Sequence, residues 1–80
     1  MLSDLKTGKK VTGAKQVTRA LKNGSARRVY LAQDADPRVT EPVEVLCREQ
    51  GVETVEVPAM TQLGAACGIA VGSAVAALVE

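Results

Sequence analysis

The sequence predicts an α/β fold, with one central sheet carrying helices on both of its faces. Three observations lead there. Short apolar runs alternate with helix-period segments in the order α-β-α-β-α-β-α-β, and such alternation builds layered α/β domains. Glycine and proline fall where those segments should stop. The length of 80 residues, with 46% apolar and 24% charged side chains, fits one small soluble domain. No internal repeat, low-complexity tract or linker interrupts it.

Each element has a local reason. Ser3 or Asp4 can cap a short first helix, which Gly8 ends. Lys10 to Thr12 is a short strand. Gly13 opens a helix that runs to about Asn23, with Gly24 as its stop. On a helical wheel Ala14, Val17, Ala20 and Leu21 form one side, and Lys15, Arg19 and Lys22 the opposite one. Arg28 to Ala32 is the next strand. Asp36 then Pro37 reads as an N-cap followed by proline at the first helical position. Val39, Val43, Leu46 and Cys47 recur at helical spacing up to Gly51, and Pro42 should kink or restart that helix. Val52 to Val57 is a third strand, Met60 to Cys67 a short helix closed by a left-handed Gly68, and Ala74 to Val79 a buried final strand.

The run from Val57 to Val79 is uncharged, and Gly64, Gly68 and Gly72 are spaced four apart within it. That spacing also suits a membrane helix-packing face. Pro58, Thr61, Gln62 and Ser73 interrupt it, and Ala and Gly dominate the rest, so the soluble reading is preferred. Residues 1–10 are polar, with no secretory h-region.

Composition narrows the function. Tyr30 is the only aromatic residue, so the core must be aliphatic and no platform exists for stacking bases. The absence of histidine removes Ser-His and Cys-His nucleophile pairs and every His-containing zinc site. A small enzyme is therefore the poorest reading. Cys47 and Cys67, in apolar surroundings, read as two buried thiols in a reducing compartment rather than as one bridge. Charge is divided along the chain. Residues 1–28 carry eight basic side chains against Asp4 alone, whereas residues 29–80 carry Arg38 and Arg48 against eight carboxylates. That asymmetry suggests one polyanion-facing surface.

Three segments could carry chemistry, of which the loop Val57-Pro58-Ala59-Met60-Thr61, between a strand and a helix, reads on its own as a connection stiffened by Pro58. In Thr12-Gly13-Ala14-Lys15-Gln16-Val17-Thr18-Arg19, glycine at a helix N-terminus allows close approach of a phosphate to free N–H groups. Lys15 and Arg19 add ionic contacts, and the Gln16 amide can read a base edge. A solvated basic helix face explains the same residues. Asp34 and Asp36 could share Mg²⁺ or a proton, but a turn at Asp34 and helix capping by Asp36 account for them more simply.

The stretch T-G-A-K-Q-V-T-R-A-L-K-N-G, then V-Y-L-A-Q-D-A-D-P, V-E-V-P and Q-L-G-A-A-C-G-I, resembles the kink-turn RNA-binding ribosomal proteins of the L-seven-Ae and L-thirty-e type, above all their short bacterial members. The resemblance spans about residues 8–79. It implies a three-layer α/β/α sandwich with a four-stranded mixed sheet, and one kink-turn RNA-binding domain over residues 1–80. It carries RNA contact to Gly13, Lys15, Gln16 and Arg19, with Lys15 and Gln16 standing where Asn and Glu are usual. A second, apolar contact falls on Val57, Pro58 and Ala59, and an acidic position near the flipped base falls on Asp36. The final helix of longer relatives is expected to be missing. The implied protein is a non-enzymatic, cytoplasmic monomer without cofactor or metal. Its partner is structured RNA with kink-turns, ribosomal or regulatory, and neither DNA nor membrane. A protein-interaction adaptor of the same fold, without RNA activity, is the alternative.

Overall fold

The computed structural model describes residues 2–80. Its elements are α1 (Asp4–Thr7), β1 (Lys10–Thr12), α2 (Ala14–Lys22), β2 (Ala26–Ala32), α3 (Pro37–Gln50), β3 (Glu53–Val57), α4 (Met60–Ala66) and β4 (Val75–Val79). The sheet order is β1-β4-β2-β3. β4 is antiparallel to both β1 and β2, and β3 is parallel to β2, so the sheet is mixed.

Two aliphatic cores make it a three-layer sandwich. On one face Val17 and Leu21 of α2 and Val43 and Cys47 of α3 pack on Val29, Leu31, Val75 and Ala77. On the other, Leu5 of α1 and Leu63 and Ala66 of α4 pack on Tyr30, Ala32, Val57 and Ala76. Each leucine buried completely contributes about 1.5–3 kcal/mol of transfer free energy. The small Ala76 and Ala77 of the central strand β4 face the two cores, one on each side, and let helices approach both faces closely. Cys47 and Cys67 are buried free thiols on opposite faces of the sheet, which excludes a bridge between them.

Several local expectations change. Neither Ser3 nor Asp4 caps α1: Ser3 makes no side-chain cap bond, and the Asp4 carboxylate pairs instead with Arg28 at 3.0 Å. α3 continues through Pro42 without restarting. Pro42 is exposed, and buried Val43 and Cys47 hold the following turns to the sheet, so tertiary packing outweighs one lost helical bond. β2 begins at Ala26, before the expected Arg28, because Ala26 pairs with Val79 across a register shift. Arg28 reaches Glu53 as well as Asp4, both at 3.0 Å, and hydrogen bonds to the Tyr30 hydroxyl first and the Glu53 carboxylate second raise the guanidinium pKa further.

The glycine-rich run from Val57 to Val79 folds as α4, a loop and β4. No helix among the described residues is long and apolar enough to cross a membrane. Gly68 (φ 79°) ends α4 as expected, with Ile69 N–H bonded to Gly64 O and Gly68 N–H to Ala65 O. Gly64 serves close approach: a Cβ there would collide with the Val71 carbonyl oxygen of the returning loop.

Candidate nucleic-acid interface

β1, β2 and β3 run in one direction, and each is followed directly by a helix. The N-termini of α2, α3 and α4 therefore meet at one end of the sheet, joined by the loop that enters β4. Backbone bonds fasten this end: Gly13 N–H to Val75 O (3.0 Å), Ala32 N–H to Ala74 O (2.9 Å), Gln33 N–H to Val57 O (2.7 Å) and Ser73 N–H to Met60 O (3.0 Å).

The three helix starts differ in how their unpaired N–H groups are satisfied. At α3 the Asp36 carboxylate accepts from Arg38 N–H at 2.9 Å and holds the Arg38 guanidinium at 2.8 Å. Those two bonds, the guanidinium's first, lower the Asp36 pKa. At α4 the N-cap residue Ala59 makes no side-chain cap bond, and Asp34 supplies one from the neighbouring loop, accepting from Met60 N–H at 2.8 Å. Asp34 is thus a long-range cap as well as a turn residue. The two aspartates are committed to separate helices, and no group of three or more potential metal ligands exists among the described residues.

α2 has no such cap. Its N-cap is Gly13, at φ 90° and ψ 149°, a conformation that glycine tolerates and L side chains rarely adopt. Without a side chain, Gly13 leaves the N–H groups of the first turn open, and no acidic residue occupies that turn. Lys15, Gln16 and Arg19 are all exposed, whereas Val17, Ala20 and Leu21 are buried. The expected division of this helix into a core side and a basic side is present.

The apolar segment divides differently. Pro58 is exposed and Ala59 half-buried at the start of α4, but Val57 is only 1% exposed and packs in the core below them. The Val57 side chain is therefore not part of the surface, because it is the last inward-facing residue of β3. Val71 went unnoticed in the sequence. It is 72% exposed on the loop that Gly64 and Gly72 seat against α4, and so borders the same end of the sheet. A large apolar residue between glycines was the only signal for it. Gly13, Lys15, Gln16, Asp36, Pro58 and Ala59 thus share one end of the sheet, while Arg19 lies further along α2, beside a hollow it lines with Gln16, Asn23 and Glu80.

Residues 2–80 match the family model described as "Ribosomal protein L7Ae/L30e/S12e/Gadd45 family". An RNA-binding protein of Geobacillus sp. strain WCH70 is 44% identical over 76 residues, covering 95% of this chain and 93% of that protein. An RNA-binding protein of Bacillus pumilus is 44% identical over 68 residues, covering 85% and 83%. Among solved structures, the 15.5kD RNA binding protein of Giardia lamblia superposes with a TM-score of 0.92 at 28% identity, covering 99% of this chain and 70% of that one. A Bacillus halodurans protein of unknown function gives 0.88 at 25% identity, covering 99% and 83%.

Proposed function

Since the chain belongs to the L7Ae/L30e/S12e/Gadd45 ribosomal protein family, we propose that it is a non-catalytic RNA-binding protein that recognises kink-turns and stabilises their bend. The observation that carries this reading is the uncapped start of α2 beside exposed Lys15 and Arg19. A kinked RNA crowds its phosphates, and this helix start offers them N–H donors, the positive end of a helix dipole and two side-chain charges. The neighbouring helix starts are filled by Asp34 and Asp36, so they do not compete for the anion. Exposed Gln16 supplies an amide for a base edge, at the non-Watson–Crick pairs where an RNA groove opens enough to be read. Pro58 and Ala59 form an apolar shelf for looped-out nucleotides. The RNA is ribosomal or regulatory, and the protein acts on it as a cytoplasmic monomer without a cofactor.

The test compares a kink-turn RNA with the same RNA after its sheared G·A pairs are replaced by Watson–Crick pairs. The protein should strongly prefer the first. Gln16→Ala should cost about 1–3 kcal/mol of that preference, as lost base contacts do. Arg19→Ala should weaken both and flatten the salt dependence by about 0.7–0.9 in slope, one phosphate's worth. Equal affinity for the two RNAs would reject kink-turn recognition and favour the adaptor reading.

A further inference from the structure

The eight basic side chains of residues 1–28 do not form one surface. Lys15, Arg19 and Lys22 lie on α2, but Lys9 and Lys10 stand at the start of β1 and Arg27 and Arg28 near the start of β2, at the opposite end of the sheet from the first turn of α2. Lys6, on α1, borders a groove with Lys10 and the last turn of α4. We propose that this end is a second RNA contact, which takes the phosphate backbone of a duplex segment separate from the RNA on α2. The protein then bridges two RNA segments. This goes beyond kink-turn recognition and does not require it.

Three observations converge. Lys9, Arg27 and Arg28, with Thr7 and the Arg28-bound Asp4 beside them, line a concavity of about 380 Å³. The β2–β4 ladder shifts register between Ala26 and Arg28, leaving Arg27 as the extra residue. Such a bulge re-aims a side chain, and here two arginines adjacent in sequence face the same concavity instead of opposite faces of the sheet. Finally, Arg28 bridges Asp4 and Glu53, one positive charge against two negative, so the charge open to a phosphate here comes from Lys9 and Arg27, with Lys6 and Lys10 beside them. Lys9 and Arg27 are exposed and make no ion pair among the described residues. Exposed Glu80, whose N–H bonds to the Ser25 carbonyl at this same end, lines the separate hollow beside Arg19. Tyr30, the one aromatic ring, is fully buried, so this end has nothing on which to stack an unpaired base. Contacts of charge alone suit the continuous phosphates of a duplex.

Two arms test the proposal. In the first, protein bound to immobilised kink-turn RNA is offered a labelled, fully paired RNA duplex at low salt. The duplex should be captured in proportion to the protein and lost at least tenfold on combining Lys9→Gln with Arg27→Gln, while kink-turn affinity stays within twofold as a control for folding. In the second, free protein carrying Lys15→Gln and Arg19→Gln is titrated with the duplex alone. It should still bind, which tests this end of the sheet even if kink-turn recognition fails. Absence of capture, capture insensitive to the Lys9 and Arg27 changes, or loss of duplex binding in the second arm would overturn the proposal. Displacement of the duplex by an acidic peptide more readily than by unlabelled duplex would also overturn it, in favour of a protein partner.

Discussion

Replacing Gly13 with alanine separates backbone geometry from contact. Gly13 sits at φ 90° and ψ 149°, and a Cβ there meets nothing within 4 Å. The cost of Gly13→Ala is therefore one of backbone conformation, about 1–3 kcal/mol for an L residue held in such a region. Stiffening the unfolded chain returns about 0.4–1 kcal/mol. At the middle of both ranges the net effect is a loss of about 1.3 kcal/mol, at most about 2.6, and the middle value lowers the melting temperature of a domain of this size by roughly 5–10 °C. Urea unfolding followed by circular dichroism reads the change directly. A chain of 80 residues is also accessible to chemical synthesis. D-alanine at position 13 prefers positive φ and should restore most of the lost stability. Undiminished stability with L-alanine, or equal damage from both enantiomers, would refute the reasoning, because neither fits a penalty that arises from handedness alone.

Three further predictions concern the supports of this end and the core. Asp34→Ala removes the only side-chain cap of α4 found here and should cost about 1 kcal/mol by urea unfolding; Asp34→Asn, which keeps an acceptor oxygen, should cost less, and the reverse order would discount the cap. Asp36 has a pKa below the ordinary aspartate value because of Arg38, so its contribution is complete above the unfolded value and lost as pH falls through the lower folded one; carboxyl NMR titration should show the midpoint rising in Arg38→Gln, and an unmoved midpoint would dismiss the pair. Burial raises the pKa of both thiols, helped by Glu44 at Cys47 and partly opposed by Lys10 at Cys67. Thiol reagents should label both slowly until urea is added, with Cys67 ahead of Cys47, and oxidant should form no bridge within a chain; rapid native labelling of Cys47 would contradict its place in the core.

The sequence exposed the fold through periodicity and punctuation, and missed what depends on residues far apart. The two-sided pattern of α2 was legible because Val17, Leu21, Lys15 and Arg19 repeat at helical spacing. The start of β2 was not, because Ala26 and Arg27 look like loop residues until Ala26 pairs with Val79. Pro42 looked like a break because its cost is local, whereas the packing that offsets it comes from the sheet. Asp34 read as a turn because its partner, the Met60 N–H, is 26 residues away. Val57 belonged to the apolar contact by its place in the motif, yet the pleat turns it inward and leaves Pro58 and Ala59 outside.

Charge along the chain also misled, for a reason that bears on function. A strongly basic first third suggests one electrostatic face, but β1 carries the chain from one end of the sheet to the other between Lys10 and Gly13. Basic residues before that crossing and after it must separate, and the return through α2 brings Arg27 and Arg28 back to the first end. The acidic residues are divided between the ends as well. Asp34 and Asp36 lie at the α2 end but spend their charge on Met60 N–H and Arg38, and Asp4 and Glu53 lie at the far end but are held by Arg28. Exposed Glu56, near the end of β3, stays at the α2 end and exposed Glu80 follows β4 at the other, while Glu41, Glu44 and Glu49 lie along α3. On the two-contact proposal, RNA is held at each end of the sheet and not lengthwise over the carboxylates of α3. The connectivity that brings three helix starts together at one end of the sheet thus divides the basic residues between two.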